Sequence, residues 1–144
     1  MNILILQGPN LNLLGLKSAL TGDRLTLDKL NKALRKHVHR QETTLKFLQT
    51  HKQDKALNFL QRNRNWADGL LFIPTSWARY DWTMTETLEL IALSTAVCIL
   101  KSLMITEPLC QILSFREKIS NHFPVYLLNL ALRAWIIFYP SNKP

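Results

Sequence analysis

The sequence predicts an α/β domain in which a parallel sheet is covered by helices on both faces. A short run of apolar residues, Asn2 to Leu6, has the composition of a strand buried on both sides, and Gly69 to Ile73 reads as a further strand. Around them lie stretches whose apolar residues recur at helical spacing, so that strand and helix alternate along the chain, the pattern of βαβ units. The first run stops abruptly at Gly8-Pro9-Asn10, a turn cluster that joins a permissive glycine, a fixed φ and a side chain able to bond its own backbone. In open sheets of this kind ligands bind beyond the carboxyl ends of the strands, so this first loop is where chemistry is expected.

Each element has its own signal. After the first strand, Asn10 and Asn12 alternate with Leu11, Leu13 and Leu14, so two amides can face a cavity while leucines anchor the loop. Equally, both amides can do no more than satisfy loop backbone. Residues 16–24 read as a mixed loop with its turn at Gly22-Asp23. Thr26 is the N-cap of a helix, with Asp28 in its first turn. Leu27, Leu30, Leu34 and Val38 form the apolar stripe of that helix, which is expected to run to about Arg40. Thr43 to Thr50 is a strand, with Leu45, Phe47 and Gln49 on one face and Thr44, Lys46 and Leu48 on the other. A second helix runs from about Lys52 to Asn63, turning Ala56, Leu57, Phe59 and Leu60 inward, and Gly69 to Ile73 is the third strand. Thr83 or Thr85 opens a third helix through Leu88, Ile91 and Ala92. Ala96 to Ile105 fits either a fourth strand or the end of a buried helix, because periodicity does not separate short apolar runs. Pro108 forces a break, Leu109 to Leu113 reads as another strand, and Pro124 to Tyr139 reads as a docked terminal helix. Asn129 and Arg133 interrupt that last stretch, which is too short for a membrane span.

Length, charge and cysteines narrow the class. The 144 residues suit one domain, 1–144, with no repeat or low-complexity linker. The net charge of +8 sits entirely in the first half: residues 1–66 carry twelve Lys and Arg against four Asp and Glu, and residues 67–144 carry six of each. Such a half suits a small anionic partner or simply solvated helix faces. Aromatic residues are not interleaved with the charge, which argues against nucleic acid. Cys98 and Cys110 lie in apolar surroundings and read as reduced core thiols of a cytoplasmic protein rather than a disulfide or zinc pair. The N-terminal apolar run is too short, and lacks the basic leader, for a signal peptide. His37 and His39 do not share a helix face, while His51 and His122 are isolated, so all four are expected to be non-catalytic and no metal site is expected.

The string Gly8-Pro9-Asn10-Leu11-Asn12-Leu13-Leu14-Gly15 after an N-terminal strand resembles the signature of the type II 3-dehydroquinate dehydratases. Leu25-Thr26-Leu27 falls where that family begins its first helix. Phe47-Leu48-Gln49-Thr50 resembles the end of its second strand, and Ala67-Asp68-Gly69 through Pro74 its third strand and loop. The motifs can be followed through residues 1–90 and fade over 95–144, as they would past a changed reading frame or in a designed chain. The resemblance implies a flavodoxin-like three-layer fold, a trimer-based homo-oligomer, no cofactor and no metal. It also implies a lyase that removes water from 3-dehydroquinate through an enolate. In that family a loop tyrosine, its phenolate stabilised by an arginine, takes the proton beside the ketone; an asparagine of the first loop stabilises the enolate, and a histidine protonates the departing hydroxyl.

Carried over position by position, Asn10 matches the first-loop asparagine, and Asn12 follows it in the same motif. Lys17 stands at the arginine position, keeping the charge and losing the planar fork. Gly22 stands at the tyrosine position, Ile73 at that of the asparagine before the proline, Thr75 at that of the following glycine and Arg79 at that of a loop histidine. The strand bearing the catalytic histidine has no counterpart, since Gln111-Ile112-Leu113 lacks an imidazole. Asn10 and Lys17 are therefore the catalytic candidates, with Asn12, Arg79 and Tyr80 as substrate-binding candidates. Tyr80, with Arg79 or Lys17 beside it, would supply a replacement phenolate; equally, the aromatic cluster of Trp77, Tyr80 and Trp82 caps a pocket or a subunit contact. Two classes of function follow, an active dehydratase and a catalytically degraded relative that binds a small anion or serves as a structural or regulatory subunit.

Overall fold

The structure is a computed structural model that describes residues 1–20, 25–39, 42–78 and 81–98. Four strands, β1 (Asn2–Gln7), β2 (Thr44–Gln49), β3 (Gly69–Ile73) and β4 (Ser94–Val97), form a parallel sheet in the order β2-β1-β3-β4. That is the start of the flavodoxin-like order, in which the chain moves outward on one side of β1, then crosses to the other. The helices are α1 (Leu14–Leu20), α2 (Leu27–Val38), α3 (Gln53–Asn63) and α4 (Trp82–Ile91).

Residue parity along β1 builds two cores. Ile3 and Ile5 face one side and join Leu11, Leu14, Leu30, Leu34 and Val38 of the α1/α2 layer. Leu4 and Leu6 face the other side and join Ala56, Leu60, Met84 and Leu88 of the α3/α4 layer. All four of these β1 side chains are completely buried, as are Leu70, Leu71 and Ile73 of β3. Burying each is worth about 1.5–3 kcal/mol, which is why the middle of β1, Ile3–Leu6, and β3 carry apolar residues on both faces instead of alternating. The three-layer expectation is met.

Three of the twelve basic residues of the first half are placed around β2 and α2. Leu45 and Phe47 pack on the α1/α2 core while Leu48 packs on the other. Arg35 covers the Phe47 ring at 4.6 Å, and Lys46 covers the Trp66 ring at 3.8 Å. Lys32 pairs with Asp28 one helical turn away, both side chains well exposed. Cations on a strand edge also discourage pairing with another chain. Thr26 caps α2 as the sequence predicts, its hydroxyl accepting the Lys29 N–H at 3.3 Å.

Several boundaries differ from the sequence reading. Residues 16–20, expected as loop, belong to α1, since Leu-Lys-Ser-Ala-Leu contains no strong breaker. α2 ends at Val38, short of Arg40. α4 begins at Trp82 instead of Thr83 or Thr85, because Asp81 is the cap: its Oδ1 accepts the Met84 N–H at 2.9 Å. The fourth strand starts at Ser94, two residues earlier than Ala96, after Ala92 stops α4 in the left-handed conformation at φ 49°. Residues 21–24, and the elements expected at Leu109–Leu113 and Pro124–Tyr139, lie outside the described residues, as does Cys110.

Cys98 is buried at the end of β4, and desolvation of the thiolate pushes its pKa from 9.0 to about 11. The folded protein therefore holds this proton after the unfolded chain has released it. That contribution to stability is complete below about pH 9 and is lost as pH rises towards 11, at about 1.4 kcal/mol per unit. Urea unfolding of wild type and Cys98→Ala across that range is expected to show this loss in the wild type only; equal slopes would show that Cys98 is not its source.

Candidate functional site

The strand order reverses between β1 and β3, so the loops leaving these two strands part at the C-terminal edge of the sheet. Residue 8 fixes how closely they approach. The Gly8 N–H donates to the Ile73 carbonyl at 2.8 Å, extending the ladder one step beyond β1. A Cβ on Gly8 would lie 2.1 Å from the Pro74 oxygen and 2.7 Å from Thr75 Oγ1. Only a residue without a side chain fits there.

Across that contact Thr75 adopts φ 52°, a left-handed conformation that is costly for a β-branched residue. Its hydroxyl offsets part of the strain locally. Oγ1 lies 2.7 Å from the Pro9 carbonyl and 2.6 Å from its neighbour's at Pro74, so its one hydrogen is shared between them and ties the two loops together. Where the family resemblance implies a glycine, the backbone thus keeps a glycine-like conformation with a threonine in it. Ile73, at the implied asparagine position, is fully buried in the α1/α2 core and offers the site no polar group.

Asn10 is exposed at φ 64°, a conformation asparagine tolerates better than most residues. Its backbone N–H donates to His51 Nδ1 at 3.3 Å. β2 brings His51 there: Gln49 pairs with Gln7 in register, Thr50 N–H donates to the Gln7 carbonyl at 3.1 Å, and Gln49 Nε2 donates to the Gly8 carbonyl at 3.2 Å. Asn12 is exposed on the short 3-10 turn Leu11–Leu13. Leu11 and Leu14 anchor the loop as expected, but Leu13 is 47% exposed and does not.

Beneath the loop, Gln7 is fully buried and donates from Nε2 to Asn31 Oδ1 of α2 at 2.7 Å, while its Oε1 has no hydrogen-bond partner among the described residues. An unsatisfied buried carbonyl costs about 1–3 kcal/mol, and this one sits directly below the site. On the other side of the sheet, Gln53 Nε2 donates to Asp81 Oδ1 at 2.5 Å, joining the starts of α3 and α4.

The predicted site residues are only partly brought together. Asn10 and Asn12 share the loop after β1. Lys17 is placed by its backbone within α1, and Arg79 and Tyr80 lie outside the described residues. The expected aromatic cluster is divided, with Trp77 half-buried against the α3/α4 core and Trp82 68% exposed on α4. Among the described residues no group of three His, Cys, Asp or Glu is placed to hold a metal ion. No described helix is long and apolar enough to cross a membrane. His51 belongs to the site although it looks isolated in sequence. Its only signal is its place two residues past the end of a strand that neighbours β1.

Residues 1–107 match the dehydroquinase class II family, further than the ninety residues over which the motifs can be followed. The chain is 27% identical over 86 residues to a 3-dehydroquinate dehydratase of Dictyoglomus turgidum, covering 60% of this chain and 59% of that one. It is 28% identical over 88 residues to one of Carboxydothermus hydrogenoformans, covering 61% and 57%. The matched part therefore spans about three fifths of these relatives. The crystal structure of a type II dehydroquinase from Propionibacterium acnes aligns with a TM-score of 0.68 at 19% identity, over 93% of this chain and 96% of that one. One from Butyrivibrio crossotus aligns at 0.65, also 19% identical, over 77% and 84%. At these identities the likeness shows a shared fold.

Two glycine substitutions separate steric need from convenience. Gly8→Ala is expected to cost about 3 kcal/mol or more, because backbone rather than a flexible side chain opposes the new methyl. Gly15→Ala, within α1, meets a side-chain methyl, Thr26 Cγ2, at 3.1 Å as its nearest neighbour and is expected to change stability by less than about 1 kcal/mol. Urea unfolding of the two variants checks both.

Proposed function

The chain belongs to the dehydroquinase class II family, and from that premise we propose that it is a type II 3-dehydroquinate dehydratase-like protein, converting 3-dehydroquinate to 3-dehydroshikimate by loss of water. The observation that carries this reading is Asn10, exposed and held left-handed by a locked loop where the strand order reverses. In the proposed reaction a base removes the proton beside the ketone, the electron pair passes to the carbonyl oxygen as an enolate, and the enolate then expels the hydroxyl, which leaves protonated as water. The Asn10 amide is the donor to the enolate oxygen. Lys17 supplies the cation that makes a phenolate base accessible near neutral pH, and Asn12, Arg79 and Tyr80 bind the substrate, with Tyr80 the phenol available in place of the one that Gly22 lacks.

A second reading, a relative that binds a small anion without turning it over, is favoured by a specific pair of replacements. Gly22 has no phenol, and the buried Ile73 presents no amide to the site. Under either reading the proposed setting is a cytoplasmic, trimer-based homo-oligomer with a small anionic ligand.

The test is enone absorbance on mixing purified protein with 3-dehydroquinate. The expected result is turnover above background that falls at least tenfold in Lys17→Ala, with Tyr80→Phe then testing the replacement base. Absence of turnover from folded protein would overturn the enzyme reading. A rise in Tm with 3-dehydroquinate in that case would establish the binding relative, by the ordinary linkage of ligand to the folded state.

A further inference from the structure

A histidine just past the end of the neighbouring strand has no role in the assignments above, yet its ring accepts a hydrogen bond from the first loop. We propose that His51 is a ligand-binding residue of this site, its Nε2–H donating to the same ligand oxygen that Asn10 faces. That oxygen is a carbonyl in the bound ligand and an oxyanion once the adjacent proton is removed. The inference rests on the site reading of the previous section and adds a second donor to it.

The geometry constrains which nitrogen can act. Asn10 N–H donates to Nδ1 at 3.3 Å, so Nδ1 is the acceptor nitrogen and the neutral ring carries its hydrogen on Nε2. A ring held this way is a donor at its outer end and has no free lone pair with which to act as a base. His51 is exposed, so its Nε2–H is open to a solute at the mouth of the loop. Its position is well determined by what lies behind it. The Thr50 N–H bond to Gln7 and the Gln49 bond to Gly8 fasten the end of β2 to the end of β1 on both sides of the residue that precedes Pro9. Asn10, in turn, is held by the contact of Gly8 with Pro74 and Thr75. The imidazole and Asn10 thus meet at the ends of two neighbouring strands, and a preorganised pair of neutral donors is what a developing oxyanion requires.

Two substitutions divide the roles of the ring. His51→Asn keeps an acceptor oxygen near the position of Nδ1, so it preserves the bond from Asn10 while removing the outer donor. His51→Gln extends an amide nitrogen to the position of Nε2 and restores a donor there. Binding and turnover of 3-dehydroquinate are to be measured for wild type and both variants, with far-UV circular dichroism and urea unfolding as controls for folding. The expected result is a loss of about tenfold to a hundredfold in affinity or kcat/KM for His51→Asn, the range for a hydrogen bond to a charged group, with substantial recovery in His51→Gln. Wild-type behaviour in both variants would overturn the proposal, as would equal losses in both, which would mark His51 as a loop clasp alone. A two-bond proton–nitrogen NMR spectrum of the free protein gives an independent arm: the Nε2–H tautomer is expected, and the Nδ1–H tautomer overturns this inference while leaving the dehydratase reading intact. If wild type neither binds nor converts 3-dehydroquinate, the site reading itself fails and the role of His51 fails with it.

Discussion

The C-terminal edge of this sheet depends on one close approach, that of the Gly8 backbone to the Pro74–Thr75 peptide. With no side chain at residue 8, the first loop continues the β1–β3 ladder for one more hydrogen bond before turning. Everything chemically useful is placed relative to that point. Asn10 is two residues past it, Thr75 is across it, and the end of β2 is fastened to it through Gln49. A methyl group there would push the two loops apart by far more than a hydrogen bond tolerates, so the constraint acts on site geometry and stability together.

The same sheet shows why burial and polarity alternate so sharply at its edge. Ile3, Ile5 and Ile73 share a face with Gln7, and all four are completely buried. Gln7 continues the inward parity of the apolar residues but must find polar company, and among the described residues α2 supplies Asn31 to its Nε2 while Oε1 is left without a partner. An amide in this position is costly by itself and brings polar character to the floor of the loop. Thr75 makes a comparable compromise, where a strained backbone is held by a hydroxyl that joins both loops. Such local costs beside a well-packed core are typical of places where a fold is shaped for a ligand.

Much of this was legible in the sequence because burial on both faces leaves a strong imprint. β1 and β3 could not be anything but apolar, and Thr26 followed by Asp28 marks the start of α2 by a local hydrogen bond and a local charge. The failures share a different cause. Residues 16–20 have no breaker but little amphipathic pattern, so no periodic signal separates a helix from a loop there. α4 begins at Trp82, an exposed aromatic that adds nothing to the apolar stripe, so the Asp81 cap before it is not marked by periodicity. His51 was invisible as a site residue because its significance comes entirely from strand order. Residues 41 apart in sequence meet only once β2 is known to lie beside β1.

The polar groups gathered at this edge have a common electrostatic character. Among the described residues the loop of β1 and the end of β2 present Asn10, Asn12, Gln49 and His51, which are neutral donors, followed by Lys52. No carboxylate lies in either segment; Asp54 comes only after α3 has begun, and Asp81 is engaged by the α4 cap and Gln53. A set of fixed dipoles and a nearby cation stabilises negative charge that appears during a reaction without first having to reorganise, whereas a carboxylate in the same place would oppose it. Of the chemistry proposed above, the anion-stabilising half is therefore the part to which these described residues offer groups.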